Sequence, residues 1–509
     1  MGRRTVWWRA LAAVGAALCT TAALPAQAAA AGTPAPYTFA EDATRVEGMP
    51  STTGAVRLAP GKTYRSSIRE GGKLYYRLEL GNGANAYVSA TAVPRMGTAV
   101  ASAEGVKVTV QDVNGHRCSS ETARFGPTGS PRPVTAWASR QIGRDPYMCQ
   151  EAGTYYVLVE RVGTVASSQG TQGTQGTQGT RSSQGLRGSQ RSQESRESQE
   201  ASGEAWGLEL GYVLEPLLKQ TGSTSAPEVG NSTSPAAVTG DAKRRRGGTS
   251  FTTASAVAQG VWEETDGIRA GQTLYYRVPV DWGQQLYATA ELGGSGSGDD
   301  GYVGNALVMS LYNPVRGFVD DATAGYDGRQ RSADLDRIPP VRYDNRFARD
   351  DRMSGMRFAG WYYLAVHLGA PVAERFGEGP FGLTLRVGVA GSAAEGPGYL
   401  GTSEPAGVFE ITAADQEAAE SGSVGGATGA GEESGGSAGS GTAEASDGAR
   451  GIGDDHTAMK LVAVAGIGTG SLLVLGLGVW TVAARRRTGV GAAGQGVAVK
   501  GPGHGAPRR

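Results

Sequence analysis

Leu74-Tyr75-Tyr76-Arg77-Leu78-Glu79-Leu80 recurs near the middle of the chain as Leu274-Tyr275-Tyr276-Arg277-Val278-Pro279-Val280. The shared register continues beyond the repeat, where Tyr87 corresponds to Tyr287. A second segment recurs in the same order, with Gly153-Thr154-Tyr155-Tyr156-Val157-Leu158-Val159 returning as Gly360-Trp361-Tyr362-Tyr363-Leu364-Ala365-Val366. The chain therefore contains two copies of one module.

Both copies show the two-residue period of a β-strand. Leu74, Tyr76 and Leu78 would lie on one face of a strand, and Arg77 on the other. Tight-turn signals such as Asn114-Gly115 follow these segments, and no convincing helical pattern occurs outside one apolar segment near the C-terminus. We predict an all-β fold of two tandem antiparallel β-sandwich domains, jelly-roll-like, with disordered linkers and one transmembrane helix.

Composition divides the chain into folded and unfolded parts. The expected boundaries are domain 1 at 37–214, a linker at 215–249, domain 2 at 250–390 and a Gly/Ser/Glu-rich stalk at 391–458. Within domain 1, residues 167–203 lack apolar side chains to bury, so we expect a disordered insertion there. The linker contains the basic run Lys243-Arg244-Arg245-Arg246, interpreted as a processing site, a contact with an anionic polymer or simply solvated chain.

The two ends of the chain predict its location. Residues 1–28 have the basic start, apolar run and small-residue cleavage pattern of a signal peptide. Residues 460–484 follow as a transmembrane helix, because a stretch this long at about 1.5 Å per residue crosses a bilayer core of about 30 Å. Lys460 precedes its uncharged part and Arg485-Arg486-Arg487 follow it, which marks the tail at 485–509 as cytoplasmic. We expect a single-pass protein of the cell membrane with its N-terminus outside.

Cysteine usage fits an exported domain. Once a signal peptide is removed, only Cys118 and Cys149 remain. Two cysteines in such a domain most simply form one disulfide. A zinc site is a poor alternative, since these two thiols and the nearby His116 fall short of four ligands.

Residue types that carry chemistry are sparse. Basic and acidic side chains balance at 48 each, which gives no global attraction to nucleic acid. The sequence has no phosphate-binding loop, dinucleotide fingerprint or zinc-protease helix, so we expect no cofactor and no enzymatic activity. A diverged hydrolase that uses His116 or His367 is kept as an alternative. Aspartate pairs such as Asp320-Asp321 could form a calcium site in a loop. The simpler interpretation is that the loop is solvated.

Four tyrosines would lie opposite the core face of their strands: Tyr75, Tyr87, Tyr275 and Tyr287. Outward aromatic rings on paired strands can stack on a ligand such as a sugar. They can equally pack under loops or against a second sheet. Both possibilities stay open at this point.

The repeated motifs resemble those of the bacterial pre-peptidase C-terminal family. The first copy has Gly72-Lys73-Leu74-Tyr75-Tyr76-Arg77, Asn114-Gly115 and Gly153-Thr154-Tyr155-Tyr156; the second has Gly271-Gln272-Thr273-Leu274-Tyr275-Tyr276-Arg277, Asn313-Pro314 and Gly360-Trp361-Tyr362-Tyr363. The resemblance implies non-catalytic, jelly-roll-like modules of secreted or surface proteins. The overall layout also resembles the C-terminal part of actinobacterial membrane proteins with a von Willebrand factor A domain, although the Asp-x-Ser-x-Ser metal motif of that domain is missing.

Together these features predict a membrane-anchored extracellular bacterial surface protein with two non-catalytic binding or accessory modules. Its partners would be the membrane and an envelope protein or cell-wall polymer, with no role for nucleic acid. Two alternatives remain: a diverged surface hydrolase, and an accessory subunit of a membrane or secretion complex that pairs through Gly466-x-x-x-Gly470.

Overall fold

A computed structural model of the chain describes residues 34–422, except for 129, 144–146, 164–203, 221, 228–237 and 297–300. The predicted signal peptide, the insertion at 167–203, the membrane span with Lys460 and Arg485-Arg486-Arg487, and the tail lie outside the described residues. Within the described part, no helix has the length and apolar composition that crossing a bilayer requires.

Domain 1 consists of ten strands in two five-stranded sheets, ordered β1-β3-β10-β5-β8 and β2-β4-β9-β6-β7. The strands are β1 (Thr44–Arg45), β2 (Val56–Arg57), β3 (Thr63–Ile68), β4 (Lys73–Leu80), β5 (Ala84–Val93), β6 (Gly105–Asp112), β7 (Arg117–Arg124), β8 (Val134–Arg140), β9 (Gly153–Val162) and β10 (Trp206–Pro216). A short 3₁₀ turn occupies Gly126–Thr128.

Domain 2 repeats this arrangement strand for strand, with sheets β11-β13-β20-β15-β18 and β12-β14-β19-β16-β17. The strands are β11 (Lys243–Arg245), β12 (Ser255–Ala256), β13 (Gly260–Glu264), β14 (Thr273–Val280), β15 (Gln285–Leu292), β16 (Val303–Tyr312), β17 (Phe318–Tyr326), β18 (Arg331–Asp334), β19 (Gly360–Leu368) and β20 (Leu383–Ala390). The predicted fold of two tandem β-sandwiches is confirmed, and both copies have one topology.

The repeated segments occupy equivalent places in the two sandwiches. β4 pairs antiparallel with β9, and β14 pairs antiparallel with β19, so that Tyr76 lies opposite Val157 and Tyr276 opposite Leu364. Tyr76 and Leu78 are fully buried, whereas Arg77 is exposed. The alternation read from the sequence therefore separates the core face of each strand from its outer face, and burial of the core face stabilises each sandwich.

The helices are short. They are α1 (Asp351–Gly355), α2 (Pro371–Phe376) and α3 (Ala413–Ser421), with a 3₁₀ turn at Tyr343–Phe347. Asp350 caps α1 by accepting a hydrogen bond from the Met353 amide. Thr412 and Asp415 form a reciprocal capping box at the start of α3, which satisfies amides that the helix itself leaves unpaired.

The segment between the domains is shorter than the predicted linker at 215–249. Glu215 and Pro216 belong to β10, and Lys243–Arg245 form β11, which pairs parallel with β13. The basic run is therefore partly a strand of domain 2. Arg244 and Arg246 pair with acidic side chains of that domain, Glu263 and Asp266.

The first part of the predicted stalk at 391–458 is ordered. We call residues 398–421 the strap. Glu404 and Leu214 exchange backbone hydrogen bonds of 2.8 and 3.0 Å, and Phe409 is 2 % exposed. α3 lies at the end of the strap, where Asp415 accepts a hydrogen bond from the indole of Trp361. The local composition of the strap does not predict this ordered structure, because the residues that hold the strap belong to the two sandwiches and are distant in sequence.

The two sandwiches pack against each other through the outer faces of two sheets. Domain 1 contributes the face of β10, β5 and β8, and domain 2 contributes the face of β14, β19 and β16. Outward residues on both sides are buried, among them Ser89, Thr91, Tyr312 and Ala365. The four sheets consequently form a continuous stack, and the described β-domains make one compact unit.

Candidate functional site

Two carboxylates of β10 lie at the centre of the contact between the sandwiches. Glu215 is fully buried and faces Arg346 of domain 2, whose Nη2 is 2.6 Å from Oε1 and whose Nη1 is 3.1 Å from Oε2. Asn85 and Tyr87 of domain 1 donate to Oε2, and Tyr399 of the strap donates to Oε1. One side chain thus joins both sandwiches and the strap.

Glu209 makes a second, similar junction. Its Oε1 accepts hydrogen bonds from Nη1 of Arg316 at 2.7 Å and from the hydroxyl of Tyr37 at 3.1 Å. Its Oε2 accepts the backbone amide of Ala40 at 3.0 Å. Because Glu209 is fully buried, the domain 2 guanidinium is the group that compensates its charge.

Electrostatics favour the ionised form of Glu215. Burial alone would raise the pKa of this carboxyl, but the Arg346 guanidinium and the hydrogen bonds from Asn85 and Tyr87 outweigh it and hold the pKa below its usual value. Burial, helped by the same carboxylate, raises the pKa of Tyr87 well above its usual value. The cluster therefore stays charged and fully hydrogen-bonded at neutral pH.

Beside the stacked domains runs an open groove. It comprises a cleft of about 840 Å³ and a smaller one of about 320 Å³, which share Glu121, Thr122 and Phe318 in their walls. We call these two adjoining clefts together the interdomain groove. Domain 1 lines it with residues 117–124 of β7 and with Trp137 and Ser139 of β8, and domain 2 lines it with Phe318, Asp321 and Thr323 of β17, Asp351 and Ser354 of α1, and Arg357.

The domain 1 wall of the groove is the edge of a strand. β7 ends its sheet, so one side of its backbone is hydrogen-bonded to no other strand of that sheet. Every residue from Arg117 to Arg124 lines the groove, whereas a strand that showed only one face would contribute every second residue. The backbone edge of β7 therefore opens into the groove.

The opposite wall presents side chains of domain 2. Asp321 and Thr323 alternate along β17, and Val308, Ser310 and Tyr312 alternate along β16, so this wall is the outer face of a sheet. Arg357 is 1 % exposed and lies between the walls, with its Nη1 3.1 Å from Oε1 of Gln141 and its guanidinium 5.2 Å from the Trp137 ring. The two walls are thus fixed to each other within the groove itself.

The pKa of Glu121 is strongly perturbed by its place in the groove. Burial and the nearby carboxylate of Asp351 raise its pKa to about 8, although Arg357 opposes the shift. A carboxyl in this state is largely protonated at neutral pH and can donate a hydrogen bond as well as accept one. The remaining charged side chains on the walls include Arg117, Arg124 and Arg132.

A disulfide fixes one end of the groove. Cys118 in β7 and Cys149 in the loop before β9 are bonded, with their Cα atoms 5.7 Å apart. The predicted pairing is confirmed. Since both cysteines line the larger cleft, the bond holds the β8–β9 loop against the edge strand.

The four predicted tyrosines separate into two pairs. Tyr87 and Tyr275 are 1 % and 2 % exposed, so they do not face a ligand. Tyr87 packs edge-on against Phe358 of domain 2, and Tyr275 packs against Tyr37 and Phe251, which is the packing alternative that the sequence left open. Tyr75 and Tyr287 are half-buried, and neither lines the groove.

The two histidines considered for catalysis lie in different settings. His367 is buried in the domain contact, where its Nε2 lies 3.1 Å from Ser130 Oγ and its Nδ1 3.0 Å from Thr273 Oγ1. Burial and Arg132 lower its pKa to about 3, so the ring is neutral and closed to solvent. His116 is exposed, and its Nδ1 lies 3.0 Å from Asp112. Among the described residues, no three His, Cys, Asp or Glu side chains are grouped to hold a metal ion.

Sequence reasoning missed the buried carboxylates and the groove. One signal was present in β5, which reads Ala-Asn-Ala-Tyr-Val-Ser-Ala-Thr-Ala-Val and is buried on both faces. A run of small and apolar residues without charge is typical of a strand that is covered on both sides. That run indicates that something covers the outer face of the sheet. It does not indicate which part of the chain does so.

No family model matches the chain, and no curated protein does. Solved structures with a similar arrangement are distant. The CUB1-EGF-CUB2 domain of human MASP-1/3 is 8 % identical, with 64 % of this chain and 99 % of that chain covered and a TM-score of 0.14. The tandem CBM22-1-CBM22-2 domain of Paenibacillus barcinonensis Xyn10C is 9 % identical over 72 % and 99 %, with a TM-score of 0.17.

The tandem CBM51 modules of a family 98 glycoside hydrolase from Streptococcus pneumoniae SP3-BS71 are 7 % identical, over 66 % of this chain and 85 % of that one, with a TM-score of 0.15. At these values the likenesses say nothing about what this chain binds.

Proposed function

We propose that this protein is a non-catalytic binding module whose ligand site is the interdomain groove. The observation that carries the proposal is that two sandwiches, joined through buried ion pairs, hold an open groove between an edge strand and the face of another sheet. A groove of this shape suits an extended chain, such as a segment of an envelope protein or a strand of a cell-wall polymer.

The groove has the composition of a recognition site. Trp137 and Phe318 offer aromatic surface, while Ser119, Ser120 and Thr122 offer hydroxyl groups. Half-buried aromatic rings beside polar groups that can orient a ligand are common in binding clefts. In contrast, His367 is buried against Ser130, which gives a substrate no access to that pair.

The proposal places these modules on the outer face of a bacterial membrane. It rests on the signal-like residues 1–28, the uncharged residues 461–484 and the arginines that follow them. The Cys118–Cys149 disulfide supports an oxidising compartment, because such bonds are rare in the reducing cytosol. The resemblance of the repeats to pre-peptidase C-terminal domains, which occur in secreted and surface proteins, also supports this proposal.

Groove-blocking variants test the binding site. Ser120 is exposed on β7 and lines the groove, so Ser120→Trp would fill the cleft without disturbing a core. The matched control is Thr53→Trp, which places the same ring on an exposed loop of domain 1. The full chain, purified from membranes, is incubated with insoluble cell-wall fragments and, separately, with a phage-displayed library of random ten-residue peptides.

We expect the unaltered chain and the Thr53→Trp control to retain at least one of these two probes and Ser120→Trp to lose it by roughly tenfold or more in affinity. Equal retention by Ser120→Trp would place the ligand elsewhere. Failure of the unaltered chain to retain either probe would also contradict the proposal.

A further inference from the structure

The outer edge of β7 carries only some of the devices that protect an edge strand. Such strands commonly carry lysine, proline or a bulge that prevents pairing with another chain. β7 reads Arg-Cys-Ser-Ser-Glu-Thr-Ala-Arg. It has no lysine or proline, its charged residues are Arg117, Glu121 and Arg124, and its one bulge lies at the Arg117 end. Its remaining residues pair regularly with β6.

Domain 2 also shields this edge. The sheet face of β16 and β17 stands across the groove from β7, and Phe318 lines both clefts. A covered edge cannot pair with the flat edge of another folded sheet. A single extended strand, however, needs only about 4.8 Å beside the edge, and the eight residues of β7 offer roughly 26 Å of length.

The net charge of the groove walls further restricts which kind of ligand fits the groove. The groove is lined by four arginines and by the carboxyl groups of Glu121, Asp321 and Asp351. Because the pKa of Glu121 is raised to about 8, its carboxyl adds little negative charge at neutral pH. The arginines then exceed the ionised carboxylates, so acidic side chains on the occupant would be complementary.

We propose that the occupant of the groove is an extended acidic polypeptide segment of another protein, which pairs with β7 as an added strand. Backbone hydrogen bonds to the β7 edge would supply affinity, and side chains at alternate positions would meet the β16–β17 face on one side. This inference rests on the proposed function, since it names the ligand of the same groove.

The test uses peptides selected by the full chain from the random decapeptide library, resynthesised with a fluorescent label. We expect the selected peptides to be rich in Asp, Glu and β-branched residues and poor in proline. Methylation of single backbone nitrogens should weaken binding about tenfold at every second position and little at the others, since only alternate amides of an added strand point to its partner.

Ser120→Trp and a second variant, Thr122→Trp, should each abolish peptide binding, while Thr53→Trp should not. Thermal unfolding of each variant verifies that it is folded. The inference is overturned if no acidic peptide is selected, if N-methylation shows no two-residue period, or if both groove variants bind as well as the control.

Other occupants give distinguishable results. If cell-wall fragments bind in a Ser120-dependent manner and peptides do not, the groove remains the ligand site but the polypeptide inference is wrong. If sedimentation shows a dimer that Ser120→Trp dissociates, the occupant is a second copy of the chain and the inference is again wrong. If Ser120→Trp changes neither fragment binding, nor peptide binding, nor dimer formation, the proposed function fails as well.

Discussion

Arg346 of the second sandwich is the partner of Glu215 in the last strand of the first, and the two buried side chains are joined by hydrogen bonds of 2.6 and 3.1 Å. The Arg346 guanidinium also lies over the Tyr343 ring, 3.5 Å from its centroid. This pair ties the position of domain 2 to a buried charge in domain 1. The geometry of the groove depends on that attachment.

Replacing Arg346 by methionine should therefore destabilise the protein strongly. Arg346→Met leaves the Glu215 carboxylate buried with no compensating charge, and removing one partner of a buried pair costs about 3–5 kcal/mol. The free energy of unfolding from urea titration measures the effect. Arg95→Met, which removes an exposed partner of Glu204, is the control and should leave the unfolding free energy nearly unchanged. A similar small change for both variants would contradict the role given to the buried pair.

Glu121 should make the protein less stable as pH rises. Its pKa in the folded chain is about 8, above the value of about 4.3 for an unperturbed Glu, so the folded state binds a proton that the unfolded state releases between these values. The stability gained from this group is full below about pH 4 and is lost as pH rises through 8. Glu121→Gln should remove that loss, as measured by thermal midpoints from pH 5 to 9. The exposed Glu70→Gln serves as the control for the amide substitution, and parallel curves for Glu121→Gln and the unaltered chain would refute the assignment.

His367 should make the protein less stable as pH falls. Its folded-state pKa of about 3 lies below the usual value near 6.5, so the unfolded state takes up a proton that the folded state excludes. Stability should fall as pH drops from about 6.5 toward 3. In His367→Gln the slope of unfolding free energy against pH should be shallower by about 1.4 kcal/mol per pH unit in this range. Identical slopes would show that His367 is not held neutral.

The strap should open when its aromatic anchor is removed. Phe409 is buried and stacks on Phe358 of domain 2, with ring centroids 4.8 Å apart. Phe409→Ala should make the strap more sensitive to limited proteolysis while both sandwiches stay resistant, because the contacts that remain are few, among them the pairing of Glu404 with Leu214 and single hydrogen bonds at Tyr399 and Asp415. Glu410→Ala, at an exposed neighbouring position, is the control. Unchanged cleavage in Phe409→Ala would indicate that the strap is held by other contacts.

The sequence predicted the fold well for a physical reason. The alternation in Leu74-Tyr75-Tyr76-Arg77 is local, and each sandwich buries its core face whatever lies outside it. The duplication then predicted the second domain from the first. Cys118 and Cys149 were predictable as a pair because they are the only two cysteines outside residues 1–28.

The groove and the buried charges were not predictable in this way. Glu209 and Glu215 occupy outward positions of β10, where a lone sandwich would leave them in water. Arg316 and Arg346, which compensate them, lie more than a hundred residues away in the other copy. Tyr87 and Tyr275 were ambiguous for the same reason, because whether an outer face meets solvent or another sheet is decided by the contact between domains.

We expect the two sandwiches to form one rigid stack with a fixed groove between them. A distance measurement by pulsed electron–electron double resonance tests this rigidity most directly. Spin labels are placed at Thr53→Cys in domain 1 and Gln330→Cys in domain 2, both exposed sites. We expect one narrow distance distribution in the full chain, which broadens when Arg346→Met is added. A broad or multimodal distribution in the otherwise unaltered chain would contradict the claim.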